Sequence, residues 1–286
     1  ELRSHTASFF ESSVLTLLLS SVIRLFKTKS LIKLFSRNHN LIHFYFKIRY
    51  AISIDFLIYI IDDYFVDILE PKIEDRLKKD VVNGAITIYK KGLVDIGEGN
   101  VSIRVPNKKE FIITPTFNQY ERMTNDDVVH LTLDGKQLSK GKKTSTEYRL
   151  HAAIYRIRHK AHCIIHTHSP YATILSILRR DIPTLMEEMV LLLGGPINVS
   201  KFGIAHTDNI AEKAVSALNN TNGILLANHG VLVCGRNMSH AVKMAEIVEK
   251  MAKIYWGALQ IGKPFTISEE ACATLMDDFN SNFSTY

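Results

Sequence analysis

Paired cysteines are missing from this chain of 286 residues: its three thiols, Cys163, Cys234 and Cys272, lie far apart and form no C-x-x-C. That scarcity excludes a disulfide framework and a thiolate zinc knuckle, and it fits a reducing, cytoplasmic setting. Long hydrophobic runs are missing too. Val14 to Ile23 and Phe56 to Ile61 are interrupted by Arg24, Lys27, Asp55 and Asp62, and neither reaches the roughly 18–20 apolar residues that cross a bilayer. No transmembrane segment is expected. Basic charge is lacking outside one stretch: residues 1–50 hold eight Lys/Arg against two acids, which accounts for the whole net charge of +6. The rest of the chain is balanced, so no nucleic-acid partner is expected for it.

Glycine and proline are absent from residues 1–70, and no methionine precedes Met123. A basic amphipathic surface helix or a targeting segment could be written this way. The plainer expectation is that residues 1–72 form an extension outside the main folded domain, which then occupies residues 73–286. Overall composition, 46% hydrophobic and 22% charged, is that of an ordinary globular protein.

From Pro71 onward the pattern becomes regular. Leu77, Val81, Val82, Ala85 and Ile88 recur at helical spacing from Ile73 to Tyr89, and Lys90-Lys91-Gly92 supplies a basic last turn and a glycine stop. Val101 to Val105, Phe111 to Ile113 and Val128 to Leu133 read as short strands. A helix is expected over Thr144 to Arg158, opened by a capping box of Thr144 and Glu147 and buried through Leu150, Ala153, Ile154 and Ile157. Cys163 to His168 reads as a buried strand and Gly223 to Gly235 as a hairpin bent at Asn228-His229-Gly230. A long helix runs from Ser239 to Ile261. Helices and strands mix without strict βαβ alternation, which predicts an α+β, three-layer sheet-and-helix domain.

Residues two apart on a strand face the same way, so His166 and His168 can present two imidazoles to one point. His229, in the turn between two apolar strands, is the best third ligand. The other histidines, His130, His151, His159, His162, His206 and His240, read as surface or supporting residues. Three neutral imidazoles leave zinc an open position, as a catalytic site requires. Glu147 is the carboxylate expected to move a proton, with Ser145, Thr146 and Asn100 as donors for a bound anion, and Gly97-Glu98-Gly99-Asn100 reads as a second anion loop.

Gly99-Asn100-Val101-Ser102, Ile113-Thr114-Pro115-Thr116, Ser145-Thr146-Glu147, His166-Thr167-His168 and Asn228-His229-Gly230 together resemble, in order and spacing, the class II aldolase/adducin family. The resemblance runs from about Ile73 to near the C-terminus. It implies an α/β fold around a central mixed, largely antiparallel sheet, a homotetramer with its active site near a subunit interface, and one Zn2+ or other divalent ion per subunit. His166, His168 and His229 then correspond to metal ligands, and Glu147 to the proton-moving carboxylate that also ligates the ion when substrate is absent. Asn100, Thr116, Ser145 and Thr146 fall where the family binds a substrate phosphate. The implied reaction is reversible cleavage of a ketose 1-phosphate, such as L-fuculose 1-phosphate, to dihydroxyacetone phosphate and a short aldehyde.

Two residues depart from the family's aldolase pattern. Phe117 replaces the glycine that follows the threonine, and Glu187 replaces a tyrosine that serves as acid on the aldehyde side. A glutamate can take over such a role when burial keeps it protonated. The same scaffold also supports ribulose-phosphate 4-epimerases, methylthioribulose-phosphate dehydratases, sugar-acid phosphate decarboxylases and non-catalytic adducin-like interaction domains.

Overall fold

The computed structural model describes residues 73–285 apart from Ile96, Phe117 and Asn118. The extension expected over residues 1–72 and the departure at Phe117 lie outside the described residues. Helix α1 (73–90) leads into strand β1 (Asn100–Arg104), β2 (Glu110–Ile113) and β3 (Val129–Thr132). Helix α2 (Tyr148–Ile157), strand β4 (Cys163–Thr167) and helix α3 (Pro170–Ile177) follow. After a π-helical turn at Met189–Leu193 come α4 (Asp208–Leu218), β5 (Gly223–Leu226), β6 (Gly230–Gly235), α5 (Met238–Ile261) and α6 (Glu269–Asn282). The π turn and α6 were not anticipated from the residue pattern.

The six strands form one sheet in the order β3-β2-β1-β4-β6-β5, every neighbouring pair antiparallel. Among the described residues a single parallel bridge, Val199 to Leu225, is all that makes it mixed. Side chains alternate across the pleat, so each strand feeds two cores. Val101, Ile103, Ile165, Val231 and Val233 pack against α1, α3 and α5 on one face. Ile113, Leu131, Ile164, Ile224 and Leu232 pack against α2 and α4 on the other. The expected three layers are therefore present.

Helix α2 departs from expectation in two ways that matter for the site. It begins at Tyr148, and the capping box does not form: Glu147 makes no side-chain cap, and the buried hydroxyl of Thr144 has no hydrogen-bond partner. Its buried stripe is Leu150, His151, Ala152, Ile154 and Tyr155, while Ile157 is exposed. The stripe takes in two polar residues because β1 offers them partners. Arg104 fixes this helix over β1 by donating to the carbonyls of Tyr155 (2.6 Å), Arg158 and Ala161 (both 3.0 Å) at its C-terminal end, where a cation also complements the helix dipole.

Candidate active site

The site forms where β1, β4 and the β5–β6 turn meet the start of α2. In the β1–β4 register Asn100 lies opposite His166, so the pleat puts both on the face that α2 covers. His168 follows the last residue of β4. His229 is delivered by the turn before β6, with Asn228 in the left-handed region at φ 55 and the His229 N–H held by the Leu226 carbonyl at 3.0 Å. Gly230 is required for close approach rather than for its φ: a Cβ there would collide with the Thr167 carbonyl and press on the His168 ring. The expected hairpin bend thus serves to bring His229 beside β4.

The three imidazoles converge. Ring centroids lie 4.8 Å (His166–His168), 4.7 Å (His166–His229) and 4.9 Å (His168–His229) apart, and one ring nitrogen from each falls within 4.8 Å of the others. Second hydrogen bonds fix which nitrogens face inward. His166 Nδ1–H donates to the Val231 carbonyl at 2.7 Å, and His168 Nδ1–H to Glu98 Oε2 at 3.1 Å. Both Nε2 atoms are then bare, yet they face each other at 2.9 Å. Two lone pairs at that separation repel unless a cation lies between them.

Glu147 completes the cluster. Its Oε2 accepts from Asn100 Nδ2 at 2.8 Å and lies 3.3 Å from His166 Nε2, and its Oε1 lies 3.1 Å from His229 Nε2. The His229 contact is close but poorly directed for a hydrogen bond, which leaves Oε1 a buried carboxylate oxygen without a donor. Such an atom is expensive unless a cation satisfies it. Burial alone would raise the Glu147 carboxyl, but His166, His229 and the Asn100 amide together hold it well below the usual carboxylate range. Burial pushes His166 down to about 3, against the pull of Glu147, and lowers His168 as well. An ionised carboxylate and neutral imidazoles are the protonation states a divalent ion needs. The donor set fits a borderline ion such as zinc.

The expected phosphate ligands Thr116, Ser145 and Thr146 lie on two segments joined by one bridge. An antiparallel bridge between Pro115 and Thr144, with Thr116 N–H on the Lys143 carbonyl (3.0 Å) and Ser145 N–H on that of Thr114 (3.3 Å), sets Thr116 opposite Lys143 and Thr114 opposite Ser145. Ser145 is buried, its Oγ accepting from Glu147 N–H, while Thr116 and Thr146 are half-buried. Glu187 is not brought in: it is exposed, ahead of the π turn, with no hydrogen bond or ion pair to the histidines or Glu147 among the described residues.

Residues 79–256 match the family described as the class II aldolase and adducin N-terminal domain. The chain belongs to that family. It is 30% identical over 208 residues to the L-fuculose phosphate aldolase of Escherichia coli K12, covering 72% of this chain and 95% of that one. It is 28% identical over 205 residues to the 5-methylthioribulose-1-phosphate/5-deoxyribulose-1-phosphate aldolase of Rhodospirillum rubrum, covering 72% and 91%. A solved L-fuculose 1-phosphate aldolase superposes with a TM-score of 0.69 at 27% identity, over 72% of this chain and 96% of that one. The chain is accordingly an enzyme of the class II aldolase type, a carbon–carbon lyase of a metal-dependent class.

Four further residues of this aldolase support the cluster. His151, expected to be either a surface or a supporting residue, is fully buried and is a supporting one. Its Nε2–H donates to Asn100 Oδ1, its Nδ1 accepts from Ser102 Oγ (2.7 Å), and Ser102 accepts in turn from Tyr155 OH (2.8 Å). The direction of this chain is set at Asn100, whose NH2 is committed to Glu147. The signal was present: Ser102 lies two residues after Asn100, on the same face of a buried strand, and His151 is one helical turn after Glu147. The fourth is Glu98, on His168.

Burial pushes His151 down to about 3, so it stays neutral in the folded protein, while the unfolded chain takes up that proton near an ordinary value of about 6.5. Acidification from about 6.5 toward 3 therefore favours unfolding, by up to about 1.4 kcal/mol per pH unit from this group. The metal-free protein is expected to lose stability in urea between pH 7 and pH 4. His151→Gln, less stable at pH 7 but unable to titrate, should show a shallower loss; an unchanged slope would count against a neutral buried His151.

Proposed function

We propose that this enzyme is a zinc-dependent aldolase that interconverts a ketose 1-phosphate with dihydroxyacetone phosphate and a short aldehyde. The observation that carries the reading is the convergence of two bare histidine nitrogens, a third imidazole and a donorless carboxylate oxygen of Glu147 on one point. His166, His168 and His229 would hold the ion, with Glu147 as a fourth ligand when substrate is absent. Bound there, the ion supplies Lewis-acid stabilisation of the negative charge that develops on the substrate oxygens.

The remaining work falls to the chain's own residues. Thr116, Ser145 and Thr146, with the second amide hydrogen of Asn100, would hold the phosphate near the N-terminus of α2, whose dipole favours an anion. In the condensation direction Glu147, ionised at rest, takes the proton from the carbon of dihydroxyacetone phosphate that becomes C3. The freed electron pair forms the C3–C4 bond with the aldehyde carbon, and the aldehyde oxygen receives a proton to become the C4 hydroxyl. Cleavage runs the same steps backward.

We assign that second proton to Glu187. Exposed and out of contact with its own chain's cluster, it would serve a neighbouring protomer in a homotetramer whose site lies near a subunit interface, and that interface would supply the burial the acid role requires. The exposed apolar side chains Ile174, Ile177, Leu178, Phe202 and Ile204 support such an assembly. Mixing Glu187→Gln with Glu147→Gln protein, dissociated and reassembled, should recover part of the activity that each lacks alone. No recovery would place the acid elsewhere.

We assign catalysis to residues 73–286, in the cytoplasm, with no part for residues 1–72. Among the described residues no helix is long and apolar enough to cross a membrane. A panel of L-fuculose 1-phosphate, its stereoisomers, 5-deoxyribulose 1-phosphate and 5-methylthioribulose 1-phosphate, assayed for dihydroxyacetone phosphate, identifies the aldehyde. Release from none of them would overturn the aldolase reading.

A further inference from the structure

We infer that Glu98 is a positioning residue for the metal centre, a carboxylate that locks His168 in its Nδ1–H form and strengthens it as a metal ligand. The inference rests on the metal-dependent reading of the histidine cluster and adds a residue that the metal and phosphate motifs do not contain.

Both oxygens of Glu98 are engaged. Oε1 accepts from the Asp95 N–H at 2.8 Å, and Oε2 faces His168 Nδ1 at 3.1 Å. The backbone beneath the carboxylate is clamped as well, because the buried Tyr120 hydroxyl lies 2.8 Å from the Glu98 carbonyl and 2.7 Å from that of Gly99. Gly97 and Gly99 take φ of 76 and 66, a region that side chains disfavour. A Cβ on Gly99 would stand 2.6 Å from Val94 and 2.7 Å from the His166 carbonyl. Gly99 therefore lets this loop lie against the end of β4, and the residue before it is directed at the histidine that follows β4. The loop expected from its glycines to cradle an anion carries an anion of its own.

The outer nitrogens of His166 and His168 are held differently: His166 Nδ1–H donates to a neutral backbone carbonyl, and His168 Nδ1–H donates to a carboxylate. A carboxylate on the far nitrogen fixes tautomer and ring orientation and makes the near nitrogen more basic, and loss of such a partner typically costs about 10–100-fold in metal affinity. Charge balance points the same way: Glu98 and Glu147 together match a divalent ion in a site that is otherwise neutral. Solvent reaches about a third of the Glu98 side chain (33% exposed), so the effect belongs at the lower end of that range.

The test is a zinc titration of the metal-stripped full chain against a competing chromophoric chelator, for the natural protein, Glu98→Ala and Glu98→Gln. Glu98→Ala is expected to bind zinc about tenfold more weakly. Glu98→Gln, which keeps an acceptor for the Nδ1–H but loses the charge, should fall between it and the natural protein. Folded variants with unchanged zinc affinity overturn the inference, even if their unfolding midpoints are lower, since a purely structural role would move only the latter. Should Glu98→Ala fail to fold, Glu98→Gln decides alone: weaker zinc binding supports the inference and unchanged binding overturns it. The underlying reading fails separately, when the natural protein itself takes up no stoichiometric zinc.

Discussion

His166→Ala is expected to remove stoichiometric metal from the purified enzyme and to lower dihydroxyacetone phosphate release by on the order of 10^3-fold or more. The Lewis-acid contribution of a bound ion is worth several kcal/mol, and each ~1.4 kcal/mol is a factor of ten in rate. His166 is the fully buried member of the three, and its Nε2 faces both His168 Nε2 at 2.9 Å and Glu147 at 3.3 Å. Its loss removes a ligand and also leaves Glu147 without the imidazole at 3.3 Å. Metal analysis and turnover should fall together. Full metal content with lost activity would mean that His166 acts in some way other than ligation.

Glu147→Gln should separate the two properties that His166→Ala removes together. The amide keeps the shape of the carboxylate and an oxygen that can accept from Asn100, so the fold around α2 and the three imidazoles persists. What disappears is the proton acceptor, for which a loss of about 10^2–10^4-fold in kcat is expected. Metal should remain bound, because three histidines suffice to hold it. KM for the ketose phosphate should change little, since the proposed phosphate ligands Thr116, Ser145 and Thr146 are untouched. A variant with near-normal kcat would remove Glu147 from the chemistry.

The residues that were legible in the sequence are those whose partners are set by local periodicity. His166 and His168 share a face because strands repeat every two residues, and the alternation of Val101, Ile103 and Ile165 against Ile113, Ile164 and Leu232 is what makes a three-layer domain readable. His229 taken alone is an ordinary turn histidine; its match to a family motif, not its spacing, singled it out.

What was misread depends on contacts distant in sequence. Thr144 and Glu147 have the spacing of a capping box, but Glu147 is drawn to Asn100 and to histidines on β4 and the β5–β6 turn, and those stronger partners win. His151 in a helix looks like a solvent-facing residue until Asn100 and Ser102 on β1 provide for both its nitrogens. Glu98 between two glycines suggests an anion loop, because nothing nearby announces that His168 lies 3.1 Å away. Glu187 marks the limit of a single chain: the proposed role on the aldehyde side would need a second copy to bring it to a site.

The central claim is that catalysis here is carbon–carbon cleavage at a histidine-held divalent ion. It is tested most directly by measuring dihydroxyacetone phosphate release from ketose 1-phosphates by the chelator-stripped enzyme, before and after one equivalent of zinc is restored. The account predicts release that is negligible in the stripped protein and recovers with the metal. Equal release in both states would contradict it.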